Sequence, residues 1–262
     1  MNIKFEQAIV HNQISPFRKP FHDKWNFKLY KDIEKPLVIF GYLNQDKIYE
    51  SHQGYKLIIP SNPFDIPNFE NLKNHEKTIL CGKVYNETKE LLKNYPQIIY
   101  RDAVIEIKDN SKFKPNPLGD KIYYYSGFKE GWGRWKQDII KEIQKNIDFE
   151  IITTNHTYRH EYYNEKYLKE NYYDKAFLNI NLSKHAGMTT VREMGLMGRK
   201  TITMRNNIHN DYSNIINCKN IEEVIKSIKE ESKKIGTMQK STNPYVMGNE
   251  WLNINYWISK NR

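Results

Sequence analysis

Short apolar runs alternate with amphipathic stretches along the 262 residues of the chain. The runs "PLVIFGYL" (36–43), "YKLIIPS" (55–61), "KTILCG" (77–82) and "QIIYRDAVIEI" (97–107) are β-branched, short and bounded by Gly, Pro or Asn, which predicts strands. Between the last two, "NETKELLKNY" (86–95) places Leu91, Leu92 and Tyr95 at helical spacing. The segment "KDNSKFKPNPLGDK" (108–121) then breaks the alternation. Its two prolines, one glycine and mixed charge mark a linker.

Beyond the linker the alternation is cleaner. The pattern predicts strands over 121–127, 149–154, 176–183 and 200–204. It predicts helices over 134–147 (Ile139, Ile140 and Ile143 on the apolar face), 160–172, 189–197 and 221–235 (Val224, Ile225 and Ile228 inward). Repeated strand–helix–strand order predicts an α/β fold whose parallel sheets are covered on both faces by helices. The linker divides it into a small N-terminal α/β domain, 1–112, and a C-terminal Rossmann-like domain, 113–262. The aromatic tail 243–262, "NPYVMGNEWLNINYWISKNR", has the composition of a segment that docks on something.

Composition adds a charge. Lys and Arg outnumber Asp and Glu by 41 − 31 = 10, giving a basic surface that attracts phosphates. Lys, Asn, Ile and Tyr are abundant throughout, so general compositional drift explains the same excess. Cys81 and Cys218 stand alone with no metal-ligand spacing, which predicts reduced, buried thiols and no bound metal. The N-terminus lacks the pattern of a signal peptide, and no apolar run approaches the ~20 residues of a membrane span. The expectation is a soluble, cytoplasmic protein whose oligomeric state stays open.

The candidate chemistry lies in "SKHAGMTTVREMGLMGRKTI" (183–202), between a predicted strand and a predicted helix. In a parallel sheet such a junction presents free backbone N–H groups at the positive end of a helix. Gly187 allows close approach, and the N–H groups of Met188, Thr189 and Thr190 suit a diphosphate. Glu193, one turn in, is placed to accept hydrogen bonds from a ribose diol. The same residues fit a second reading, in which Thr190-Val-Arg-Glu193 is a capping box and Gly198 the matching C-terminal glycine.

Taken together, Ser183, Gly187, Glu193 and Gly198, followed by the strand "RKTITM", resemble the donor domain of GT-B glycosyltransferases. The likeness is to the retaining Glu-x7-Glu group, with glycosyltransferase-4-like donor domains. "FKPNPLGDKIYYYSG" resembles the interdomain linker and first donor strand of the same enzymes. The wording is also similar to short glycosyltransferases of large DNA viruses and phages. The resemblance covers 113–236 well and 36–112 loosely. It implies a GT-B-like fold of two Rossmann-like domains, with a reduced N-terminal domain for the acceptor and the tail 243–262 crossing back to it. It also implies transfer in the interdomain cleft from a nucleotide-diphosphate sugar, UDP- or GDP-linked, with no cofactor required.

The residues this implies are Gly127, Lys129, Arg134, Lys136, Gly187, Met188, Thr189 and Thr190 at the diphosphate, and Glu193 on the ribose. Thr153, Thr154, Asn155 and Thr157 follow a donor-domain strand where the family's nucleobase loop lies. Two positions depart from the pattern. His185 stands eight residues before Glu193, where the group has its first Glu, and Gly127-Phe128 replaces the usual Gly-Arg. His185, Glu193 and, on the acceptor side, His52 are the candidate catalytic residues. Three functions fit: retaining transfer to a glycan or protein, transfer to a hydroxymethylated base in DNA, or a non-catalytic nucleotide- or nucleic-acid-binding module.

Overall fold

The computed structural model describes residues 3–10, 15–41, 50–60, 66–105, 111–125, 130–154, 165–182, 188–204, 212–242 and 246–259. The chain divides into two compact units, Met1–Asp109 with Tyr245–Arg262, and Asn110–Pro244.

The first unit is built on strands β1 (Gln7–Val10), β2 (Lys28–Leu29), β3 (Leu37–Phe40), β4 (Lys56–Ile59), β5 (Thr78–Cys81) and β6 (Ile99–Arg101). They form a six-stranded sheet in the order β2-β1-β3-β4-β5-β6, with every pairing parallel. The apolar runs are near-continuous because both faces of the sheet are covered. Leu37, Ile39, Ile58 and Leu80 feed one core, while Val38, Phe40, Leu57, Ile59, Ile79 and Cys81 feed the other. Helices α1 (Ser15–Trp25) and α2 (Asn86–Leu92) follow β1 and β5. Near the C-terminus, Val246–Met247 pairs in parallel with β7 (Val104–Ile105), and Trp251 and Trp257 bury completely in the second core. The pattern predicts four of these sheet strands; β1 and β2 are additions.

The second unit contains β8 (Lys121–Tyr125), α3 (Glu130–Lys145), β9 (Ile151–Thr153), α4 (Glu165–Leu168), β10 (Ala176–Asn181), α5 (Met188–Leu196), β11 (Lys200–Met204), β12 (Ile215–Cys218) and α6 (Ile221–Ser232). Its five strands are parallel and lie in the order β12-β11-β10-β8-β9. α3 starts four residues before the predicted 134 and runs through Gly131 and Gly133. α4 passes into a π-helical turn over Lys169–Tyr173. The first residues of the helix predicted over 160–172 lie outside the described residues.

Buried Arg199 ties the entry of this unit to its sheet. Its guanidinium donates to the carbonyls of Ala176 (2.9 Å), Met197 (2.6 Å) and Pro117 (3.1 Å) and to Asn116 Oδ1 (2.6 Å). Asn116 donates in turn to Asp174 at 2.9 Å, and Lys169 pairs with that carboxylate at 2.8 Å. Among the described residues no helix is long and apolar enough to cross a membrane.

Candidate functional site

In the second unit the chain runs from β8 outward to β9, then crosses back to place β10 on the other side of β8. That reversal is a topological switch point. In open α/β sheets, ligands bind beyond the carboxyl ends of the strands at such a point. The segment after β8 is 126–129 and the segment after β10 is 182–187; they hold Gly127, Lys129 and Gly187 of the predicted diphosphate residues, and the helices that follow hold the other five.

The placement of each predicted residue follows from this topology. Gly127, Lys129, Asn155, Thr157, His185 and Gly187 lie outside the described residues. Arg134 and Lys136 sit in the first half of α3, with side chains outside the description. Met188 opens α5, Thr189 is half-buried in its first turn, and Thr190 and Glu193 are buried. Thr153 ends β9 and is exposed, whereas Thr154 is buried.

α5 begins at Met188, so Thr190 is its third residue and not a cap. The capping-box reading of Thr190 and Glu193 therefore falls: a cap must sit outside the helix with non-helical backbone. Instead the two residues lie one turn apart on the same buried face. Gly198, at φ +84°, does close the helix. Its N–H reaches the Gly195 carbonyl and the Arg199 N–H reaches Met194, the two bonds of a Schellman motif.

Thr154, Thr190 and Glu193 meet through two tyrosines absent from the sequence reading. The Tyr173 hydroxyl donates to Glu193 Oε2 at 2.9 Å and is hydrogen-bonded to Thr190. The Tyr173 ring lies edge-on to Tyr123 at 5.4 Å, and the Tyr123 hydroxyl is 3.3 Å from Thr154 Oγ1. Burial above all, and then the Glu193 carboxylate, hold the Tyr173 phenol well above its usual range, so it stays a donor. Phe113, Leu168, Met194 and Met197 pack around the group. With 19 tyrosines in the chain, nothing in the sequence singles out these two.

A second buried polar layer lies in the neighbouring strands. Asn179 and Thr201 are register partners across β10 and β11, and Asn179 Nδ2 donates to Thr201 Oγ1 at 3.1 Å. Buried Asn214 donates to the Val191 carbonyl of α5 at 2.8 Å. Buried hydrogen-bonded groups of this kind fix a helix in one position on a sheet, because any shift leaves them unsatisfied.

His52 has surroundings of its own. It belongs to the first unit, is fully buried, and precedes β4, at the amino ends of the strands rather than the ligand-accepting carboxyl ends. Burial first and the charge of Lys56 second lower its imidazole to about 4, so it is neutral at physiological pH. Lys56 is itself buried, lowered to about 8 chiefly by burial, and donates to the carbonyls of Lys73 (2.7 Å) and His52 (3.3 Å). Among the described residues no group of three His, Cys, Asp or Glu side chains is arranged to hold a metal ion.

No family model and no curated protein matches the chain. Solved structures do. The crystal structure of TarM matches with a TM-score of 0.50 at 11% identity, over 78% of this chain and 51% of that one. Those two parallel sheets, each with its switch point, and this match define the architecture. The fold is GT-B-like, with two Rossmann-like units. The structure of accessory secretory proteins 1, 2 and 3 of Streptococcus pneumoniae matches at 14% identity over 82% of this chain and 50% of that one, TM-score 0.44. Sucrose-phosphate synthase from Thermosynechococcus elongatus matches at 10% identity over 84% and 72%, TM-score 0.39. The chain spans about half the length of the first two. At such identities the likeness concerns the fold alone.

Proposed function

We propose that this GT-B-like chain is a cytoplasmic glycosyltransferase that moves a sugar from a UDP- or GDP-sugar to a hydroxyl of a glycan or protein, with retention at the anomeric carbon. The observation that carries the reading is the switch point between β8 and β10, with the N-terminus of α5 at its mouth and Glu193 one turn inside. The N–H groups of Met188, Thr189 and Thr190 bind the diphosphate there, with Gly127 and Gly187 allowing close approach. Lys129, Arg134 and Lys136 add positive charge as the anomeric C–O bond breaks and the nucleotide diphosphate departs. Glu193 accepts from the ribose hydroxyls, Thr153, Thr154, Asn155 and Thr157 flank the base, and His185 stands beside the sugar. The acceptor oxygen forms the new bond, and its proton leaves with the diphosphate. Transfer to a base in DNA draws support only from the net charge of +10.

The test is a panel of nucleotide diphosphates and sugar nucleotides, scored by thermal shift and calorimetry on wild type and Glu193→Gln. Gln retains an oxygen that accepts from Tyr173, so it keeps the buried hydrogen bond while losing the charge. The expected result is stabilisation of the wild type by one base series, and at least a tenfold loss of affinity in the variant with a nearly unchanged melting temperature. If no member of the panel stabilises the wild type, the transfer reading is wrong.

A further inference from the structure

Arg101 is the last residue of β6, at the carboxyl end of the first unit's sheet. Its Nε and Nη2 atoms are both closed to solvent, and among the described residues neither has a hydrogen-bond partner. This is a costly arrangement for a guanidinium, whose N–H groups must find acceptors or lose their hydration uncompensated.

Acceptors of the same and the neighbouring strand are engaged elsewhere. The neighbouring Asp102 carboxylate lies 3.5 Å from Lys89 Nζ. The Cys81 thiol, across the ladder from Arg101, is directed at the Ala103 carbonyl at 3.5 Å. The Arg101 carbonyl takes the N–H groups of Gly82 and Ala103, both at 3.0 Å. Gly82 follows the adjacent strand at φ +143°, and among the described residues a side chain there would meet Pro60 at 3.4 Å.

We propose that Arg101 is a binding point for an oxyanion, a phosphate or a carboxylate, on the ligand of the first unit. The paired geometry of a guanidinium edge matches two oxygens of such a group, and the missing partners are the two donors such an edge offers. The assignment of that oxyanion to the sugar acceptor rests on the transfer reading above, whereas the binding itself does not. On that reading the acceptor is anionic, a sugar phosphate or a uronate-like glycan, and Arg101 fixes its register at the carboxyl edge.

The experiment follows the Arg Nε–H resonances of the isotopically labelled full chain during titration with inorganic phosphate and, separately, acetate. The Arg101 peak is assigned by its absence in Arg101→Lys. It is expected to move saturably with phosphate, and phosphate is expected to raise the melting temperature of wild type but not of Arg101→Gln. UDP or GDP should stabilise the wild type and both variants equally. An Arg101 peak that stays still, or an equal phosphate effect in Arg101→Gln, overturns the proposal. Comparing hexose phosphate with inorganic phosphate separates the sources. Tenfold tighter binding of the former supports the acceptor, and equal binding limits the site to free phosphate and overturns that assignment. Saturable phosphate binding at Arg101 with no nucleotide binding anywhere leaves the oxyanion site standing and ends the transfer reading.

Discussion

The Tyr173 hydroxyl donates to Glu193 Oε2 across 2.9 Å, in a place closed to solvent. Tyr173 ends the π-helical turn before β10, and Glu193 lies in the helix after it, so one bond spans the strand that leads into the switch point. The bond restrains one oxygen of the Glu193 carboxylate.

Tyr173→Phe removes the donor and keeps the ring. A hydrogen bond to a buried charged group contributes about 1.5–3 kcal/mol, and urea unfolding should show a loss of that size. If Glu193 holds the ribose, the Kd for UDP or GDP should also rise several-fold, because the carboxylate is no longer aimed. A lower unfolding midpoint with an unchanged Kd would mean that Tyr173 serves the fold alone.

Burial of neutral His52 makes stability depend on pH. Its folded value of about 4 lies below the unfolded 6.5, so the unfolded chain takes up the proton first. Stability therefore falls as pH drops from 6.5 towards 4, and below that this group adds no further change. The wild type should lose about 2 kcal/mol between pH 7 and pH 5 relative to His52→Gln, read from urea curves at each pH. Parallel pH profiles for the two proteins would refute the assignment.

The strand–helix alternation was legible because both sheets are parallel and covered on two faces, so their strands are unbroken apolar runs such as "LVIF" and "TILC". β12 escaped because "IINC" places an asparagine among its four residues, and β1 because "QAIV" opens on a buried glutamine. That glutamine, Gln7, is buried because its amide is hydrogen-bonded to the backbone of Lys31, Asp32 and Lys35, partners that exist only after folding. The start of α5 left two readings open for a related reason. Thr and Glu three apart have the spacing of a capping box, and only the tertiary partner Tyr173 gives them another role. The burial of His52 was not legible in its polar segment, because the partners beside it, the 32–35 segment and the Tyr30 ring 5.8 Å away, lie some 20 residues earlier.

Arg199 tests how firmly the second unit is tied to its own entry segment. Arg199→Met leaves the Ala176, Met197 and Pro117 carbonyls and Asn116 Oδ1 without their shared donor. Each buried acceptor left unsatisfied costs about 1–3 kcal/mol, so a loss of at least ~3 kcal/mol is expected in urea. Arg199→Lys should recover less than half, since one ammonium cannot span four acceptors around a planar group. A cost under ~1 kcal/mol for Arg199→Met would show that water replaces the guanidinium at no penalty.

Gly195 decides whether α5 can move. In an open helix Gly→Ala is favourable by about 0.8–1.0 kcal/mol. Here a Cβ would lie 2.6 Å from the Thr242 carbonyl oxygen and 2.8 Å from Asn214 Nδ2, neither of which is free to retreat. The Thr242 N–H is bonded to the Gly195 carbonyl at 2.9 Å, and Asn214 is bonded to Val191 at 2.8 Å. The clash therefore outweighs propensity, and Gly195→Ala should cost about 1–3 kcal/mol, the range for overpacking a filled site. If the clash is relieved by lifting α5, the variant should also bind UDP or GDP more weakly, although Gly195 lies two turns from the N–H groups that would hold the diphosphate. Calorimetry on a variant still folded by circular dichroism separates the two effects. Unchanged affinity with reduced stability would place the diphosphate somewhere other than the start of α5.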